Sequence, residues 1–299
     1  MMKFKPLGLE DRELFMKYMG EYYFNTYEYS FATLYLWRKM CNVEYAVCND
    51  ILIIKKSINN MGSYFMQPIG YDLNNLEDII LKLDRLEKEC GGFINLFRDV
   101  ELPFLHDINQ TMGEKIKFVE DTDNFDYIYN SKDLIELTGN KYHGKKNHYN
   151  QFVNNYDYVI KEIKSREVIQ DCMDFSLAWY ESKEEKSEQL KFELYGVKDV
   201  LNNMEELNLL GMAVYVEGKM AGFTIGEKVN EKMAIIHVEK GDPEYKGIYA
   251  FINKEFAERN FSEVEFLNRE EDLGIEGLRK VKSSYHPVRL EKKYIVDLQ

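Results

Sequence analysis

Apolar residues in this chain recur at two different spacings, and each spacing marks a kind of element. Leu76, Ile79, Ile80, Leu83, Leu86 and Cys90 fall three or four apart, with Glu77 and Asp78 in front and Gly91 behind. That pattern predicts an amphipathic helix whose charges suit its dipole and whose glycine stops it. Upstream, Tyr45–Cys48 and Ile51–Lys55 flank the turn pair Asn49-Asp50 as a hairpin, after an opening helix at Leu9–Met19 and before a third strand at Tyr64–Gln67. A strand at Phe93–Phe97, a short helix after Pro103 and a strand at Lys115–Val119 follow. The first half reads β-β-β-α-β-α-β.

The second half repeats that order without repeating the sequence. Two helices introduce it: Ser131–Leu137, ended by Gly139, and one marked by Val168, Cys172, Phe175 and Trp179. Met212–Val216 and Ala221–Val229 then form a hairpin about Glu217-Gly218-Lys219, and Met233–Glu239 extends the sheet. An amphipathic helix at Ile248–Arg259, a strand at Glu263–Leu267 and a short helix around Gly277–Val281 come next. In the final strand, Val288, Leu290, Tyr294, Val296 and Leu298 share one face, while Arg289, Glu291 and Lys293 read as a salt-bridged solvent face. Two α/β domains are therefore expected, residues 1–124 and 125–299. The linker is placed in the acidic stretch Glu120 to Asn124, which has no apolar period.

Composition limits the function. Among 299 residues, 39 Lys and Arg face 52 Asp and Glu, a net charge of −13, which opposes broad contact with DNA or an anionic membrane and requires any anion site to be local. Cys41, Cys48, Cys90 and Cys172 show no Cys-x-x-Cys spacing, and the start MMKFKPLGLEDRELF is charged where a signal peptide is apolar. No stretch is apolar for the length that spans a bilayer. These features predict a cytoplasmic protein with reduced thiols and no integral membrane segment.

Against this acidic background two blocks gather cations, amides, tyrosines and glycines: Asp126 to Phe152 (DYIYNSKDLIELTGNKYHGKKNHYNQF) and Asn268 to Tyr294 (NREEDLGIEGLRKVKSSYHPVRLEKKY). They resemble the signature blocks of an uncharacterised bacterial family related to the C-terminal catalytic domain of phosphatidylglycerol lysyltransferases, and more distantly to Fem-type aminoacyltransferases. SFATLYLW (30–37), MQPIG (66–70) and HVEKGDPEYKGIYAFINKEF (237–256) extend the likeness over nearly the whole chain. The element order is likewise similar to the GNAT-like acyltransferase fold. The resemblance implies an α/β (α+β) protein of two tandem GNAT-like domains, each a mixed sheet flanked by helices. It also implies an acyl- or aminoacyl-transferase superfamily, without implying lysyltransferase activity itself.

Individual positions suggest roles. In a GNAT-like fold, the turn after the third strand offers backbone amides to a diphosphate at a helix N-terminus. Here that turn is Lys240 to Ile248, where Gly241, Gly247 and Lys246 suit an anion while Asp242 and Glu244 repel one. It fits either a degenerate phosphate loop or a plain helix cap. Lys141, His143, Lys145, Lys146 and Asn147 stand at a helix entry. Charge pattern alone reads them as a solvated surface, and the resemblance reads them as donor-binding. Arg279, Lys280 and Lys282 form a second cationic group.

Tyr285 lies where GNAT-like enzymes place the acid for the leaving group, although a core tyrosine is the commoner role. His237 and Glu239 end the third strand, and either could deprotonate an acceptor. The amides of that strand would then supply the oxyanion donors. His143 and His148 are five apart and leave a common helix face, and no other set has ligand spacing, so no metal is expected. The expected activity is transfer of an acyl group to an amine or hydroxyl of a small molecule or peptide. Aminoacyl-tRNA is favoured over acyl-CoA as donor, and no DNA partner or resident cofactor is expected. The alternative is a non-catalytic module that binds an anionic metabolite or peptide.

Overall fold

The computed structural model describes residues 2–20 and 22–299. Contacts divide the chain into two compact units, Met1–Phe125 with Glu291–Gln299, and Asp126–Leu290. The first unit runs β1 (Lys5–Pro6), α1 (Arg12–Met19), α2 (Phe31–Trp37), β2 (Glu44–Cys48), β3 (Ile51–Ile58), β4 (Gly62–Phe65), α3 (Leu76–Cys90), β5 (Phe93–Val100), α4 (Leu102–Met112) and β6 (Ile116–Glu120). The second begins with β7 (Asp126–Asn130), α5 (Ser131–Glu136), α6 (His143–Asn155), β8 (Tyr158–Glu162), α7 (Arg166–Glu181) and α8 (Glu188–Asn202). It continues through β9 (Leu210–Val216), β10 (Lys219–Lys228), β11 (Met233–Gly241), α9 (Ile248–Asn260), β12 (Phe266–Asn268), α10 (Glu276–Ser283) and β13 (Arg289–Glu291). The chain ends in β14 (Tyr294–Leu298).

Each unit holds a seven-stranded sheet, ordered β1-β2-β3-β4-β5-β14-β6 in the first and β13-β7-β12-β11-β10-β9-β8 in the second. The strand pairs are antiparallel except β4 with β5 and β11 with β12, the two places where a helix crosses over between strands. Those crossover helices bury their apolar faces on the sheets. Leu76, Ile79, Ile80 and Leu83 of α3 pack with Phe65 and Phe97, and Phe251 and Phe256 of α9 pack with Val214, Ala234 and Leu267. Burial of each such side chain is worth about 1.5–3 kcal/mol.

The sixth place in each sheet, counted from β1 in the first and from β8 in the second, is filled by exchange. β7, which follows β6 directly, lies in the second sheet, and β14, which follows β13, lies in the first. In both sheets the strand facing this sixth strand carries a bulge. Tyr294 and Val296 of β14 pair with Val100 and Phe97, which leaves one extra residue on β5. After β12, the Tyr127 carbonyl accepts from the Arg269 amide while the Tyr127 amide donates to the Glu270 carbonyl. Asp99 and Glu270 take the positive φ values this requires, 57° in both cases. A non-glycine residue accepts that conformation only where surrounding contacts hold it, at a cost on the order of 1 kcal/mol.

Three expectations need correction. The final strand is two strands in different sheets, because the chain leaves the second sheet at Glu291. Residues 291–299 accordingly belong with the first unit rather than the second. Lys293, expected on a solvent face, has a side chain 0% exposed, ion-paired to Glu28 with its ammonium over the Tyr27 ring. The acidic linker is anchored: Arg98 binds Asp121 at 2.7 Å, Lys292 binds Glu120 at 2.5 Å, and the Asp121 amide donates to the Lys293 carbonyl. Periodicity also missed α2, whose residues Phe31 to Leu36 are buried on every side, and the short strands β7 and β8.

Ending the chain at residue 290 removes a strand lying between β5 and β6. The amides of β5 and β6 should then lose hydrogen-exchange protection, while those of β9–β11 keep theirs. Full protection of the first sheet in the shortened chain would show that β14 is dispensable.

Candidate functional site

The second unit encloses a cavity of about 660 Å³ at the end of β11, bordered by α6, the α7–α8 pair, the first turn of α9 and the segments on either side of α10. β11 reaches it through a bulge of its own. Ile225 pairs with Val238 and Gly226 with Ile236, so His237 has no partner on β10. The extra residue re-aims the side chain, as bulges beside ligand sites commonly do.

His237 is clamped. Its Nε2 lies 3.0 Å from Glu227 and its Nδ1 3.2 Å from Glu270, and only 2% of the side chain is exposed. Burial by itself lowers the imidazole pKa, but the two carboxylates more than reverse this and raise it to about 9. Burial also raises Glu270, to about 7, against the pull of His237. The histidine is held between two acidic side chains that favour its protonated form, and the bulge after β12 delivers one of them.

The same bulge aims Arg269. Its Nη2 binds Glu239 Oε1 at 3.0 Å, and its guanidinium lies over the Tyr285 ring at 4.8 Å and the Tyr129 ring at 5.7 Å. Glu239 Oε2 is buried with no hydrogen-bond partner. Tyr285 is buried, and burial raises its hydroxyl to about 12 although Arg269 pulls it down. Lys145 of α6 rests its ammonium 3.9 Å from the Tyr285 ring centroid, and burial, followed by the charge of Arg269, lowers its pKa to about 8. On the opposite wall Lys240 binds Glu193 at 2.8 Å with its ammonium over Trp179.

The three residues expected to carry the chemistry, His237, Glu239 and Tyr285, all border this cavity. Of those expected to hold the donor, Lys145, Gly247 and Lys282 border it and the rest do not. Lys282 is buried, and its ammonium donates to the carbonyls of Arg269 and Glu271, clasping the bulge to α10. Lys141 pairs with Asp133, Lys280 with Glu276, and Arg279 grips Asp272 through two nitrogens at 2.8 Å. His143, Lys146, Asn147 and Lys246 are exposed.

The role of Gly247 also changes. With φ at +92°, it precedes α9, and a Cβ there would lie 2.0 Å from the His148 carbonyl oxygen. The glycine admits helix α6. The amides of Asp242, Glu244, Tyr245, Lys246 and Ile248 already have partners within the chain. Sequence reasoning passed over Glu227, Glu270 and Trp179, and it counted Arg269 only as part of a basic block. The available signal was position, since Arg269 and Glu270 follow directly on a strand's carboxyl end, where α/β sheets bind ligands.

The profile of the C-terminal region of phosphatidylglycerol lysyltransferase matches residues 21–297, and the chain belongs to this family. A conserved protein of unknown function from Bacteroides thetaiotaomicron VPI-5482 superposes with a TM-score of 0.91 at 34% identity, over 100% of both chains. The structure of L-PGS from Bacillus licheniformis gives 0.67 at 16% identity, over 98% of this chain and 92% of that one. FemX gives 0.62 at 7%, over 100% and 98%. An uncharacterised protein, MYCGA3080 of Mycoplasmoides gallisepticum, is 26% identical over 171 residues, 57% of this chain and 55% of that relative's length. The fold is the tandem GNAT-like one, with two mixed sheets flanked by helices. No helix among the described residues is long and apolar enough to cross a membrane.

Two outcomes follow from this geometry. Gly247→Ala should lower stability by at least about 2 kcal/mol in chemical denaturation, because the added methyl meets backbone at a positive φ; unchanged stability would return this glycine to a ligand-binding role. His237 binds its proton more tightly folded than unfolded, so the stabilisation from that proton is full below pH about 6.5 and is lost as pH rises through about 9. Denaturation midpoints should fall across that window in the native protein and stay flatter in His237→Gln. Parallel pH profiles for the two would place the clamp's proton elsewhere.

Proposed function

We propose that the second unit is an aminoacyltransferase site that moves an aminoacyl group from a tRNA ester to an amine or hydroxyl acceptor. One observation carries the reading. Glu239 borders the cavity and is held through Oε1 by the buried Arg269, while its Oε2 is buried with no donor. An oriented, unsatisfied carboxylate oxygen is what accepting a nucleophile's proton requires. His237, the other expected base, is a poor fit, since a protonated imidazole between two carboxylates offers no lone pair.

The donor class is supported from two sides. α6 occupies the approach to Gly247, and most amides of that turn are already bonded, which argues against the diphosphate of coenzyme A. α6 itself, HGKKNHYNQFVNN, contains no acidic residue in a chain of net charge −13, and its exposed Lys146, Asn147 and His148 lead towards Lys145 at the cavity. Such a face suits a phosphate backbone. The family and the Fem-like fold fit an aminoacyl donor, and the acceptors to try first are phosphatidylglycerol, after the family's name, and a peptide amine.

The test uses the whole protein with tRNAs charged with radiolabelled lysine or alanine, offered phosphatidylglycerol vesicles or a lysine-containing peptide. Label should move to one acceptor, and Glu239→Gln should slow transfer on the order of a hundredfold or more in a variant that melting curves show to be folded. Binding of charged tRNA should weaken steeply as salt rises. Salt-insensitive binding of acetyl-CoA, with no transfer from any tRNA, would overturn the reading.

A further inference from the structure

The cations bordering the cavity differ in what holds them. Arg269 is bound to Glu239, Lys240 to Glu193, His237 to Glu227 and Glu270, and Lys282 to two carbonyls. Lys145 alone among the described lysines and arginines of this wall has neither carboxylate nor carbonyl as partner. It is held instead by the face of Tyr285, at 3.9 Å. A cation–π contact holds an ammonium without a carboxylate or carbonyl partner, so N–H groups turned away from the ring remain available to a ligand. Glu239, which borders the same cavity, is the complementary case: its Oε2 is a buried acceptor without a donor.

We propose that these two groups form the proton relay of the transfer, with Lys145 the acid that protonates the leaving oxygen. The inference rests on the transferase reading above. In the step, the acceptor's nitrogen or oxygen bonds to the ester carbonyl carbon and gives its proton to Glu239. The bond from that carbon to the donor's alcohol oxygen then breaks. Lys145 supplies a proton to this oxygen and becomes a neutral amine, and the proton on Glu239 returns to it, restoring both groups.

Tyr285, expected as the acid, becomes the platform on which Lys145 stands. Its hydroxyl is hydrogen-bonded by Arg269 and releases its proton only near pH 12, whereas the Lys145 ammonium does so near pH 8, closer to the working range of a cell. The charges that set this value are Arg269, which lowers it with burial, and Glu239, which raises it. Among the other titratable groups of the wall, Lys240 binds Glu193, His237 lies between Glu227 and Glu270, Lys282 and Tyr249 donate to carbonyls, Tyr245 lies beside the first turn of α9, and the imidazole of His148 stands one turn along α6.

The experiment measures the pH dependence of aminoacyl transfer from charged tRNA in the whole protein, in Lys145→Arg and in Lys145→Met, with melting curves to establish that each is folded. Because the acid must be protonated, native activity should fall as pH rises through about 8. Arg keeps the charge but cannot release the proton, so Lys145→Arg should lose about a hundredfold in kcat and lose that descending limb. A separate readout needs no turnover: the rate at which a dilute amine-acylating reagent labels Lys145, followed by mass spectrometry, should rise with a midpoint near pH 8. Labelling of Lys146, exposed on the same helix, is followed in the same digest as the comparison. Lys145→Arg with native kcat and an altered KM for tRNA only would make Lys145 a phosphate anchor and overturn the proposal while leaving the transferase reading intact. Absence of transfer from every donor by the native protein would overturn both.

Discussion

The arrangement that most of this structure depends on is a bulge of two residues, an arginine followed by an acid with φ near +57°, at the carboxyl end of the strand that follows the crossover helix in each sheet. Arg98-Asp99 occupies it in the first sheet and Arg269-Glu270 in the second. The extra residue lets consecutive side chains reach different partners, which a regular strand would send to opposite faces. Arg98 reaches Asp121 and Asp99 reaches Lys56, while Arg269 reaches Glu239 and Glu270 reaches His237. The unfavourable backbone conformation is maintained because each residue ends in a buried ionic contact, and breaking such a contact leaves a charge without compensation, at about 3–5 kcal/mol.

The two copies of this device serve different ends. In the first unit the acid meets Lys56 at 2.7 Å, with Tyr64 also donating to it, and both charged side chains are nearly inaccessible. That copy consolidates a core. In the second, the neighbours are a histidine already held by another carboxylate and a glutamate with an oxygen to spare, and a cavity opens beside them. An acidic chain can therefore hold a cationic pocket, because most of its local positive charge is matched by carboxylates within the same wall. The one ammonium left over is placed by an aromatic ring, and so responds more to burial and to Arg269 than to any ion pair.

Much of the fold was legible because its helices and hairpins are local. The heptad-like spacing of Leu76 to Cys90 and the turns at Asn49-Asp50 and Glu217-Gly218 need only near neighbours to form, and the structure has each of them. α2 escaped because a helix buried all round has no polar face to reveal its period. The site was legible in part for the same reason: His237, Glu239 and Tyr285 sit at strand or helix ends that local pattern could place, and all three border the cavity.

By itself the sequence determined the repeated order of elements, the acidic surface with its two cationic blocks, and the strand whose end carries the site. Tertiary structure decided which strand closes which sheet, since β7 and β14 are exchanged and a period of two cannot say which neighbour a strand will meet. It decided which cations are free, because Lys282, Arg279 and Lys145 look alike along the chain and differ only in what lies within 4 Å of each. It also decided what Gly247 receives, which is helix α6. A glycine records that something approaches closely, and only the folded chain shows what that is.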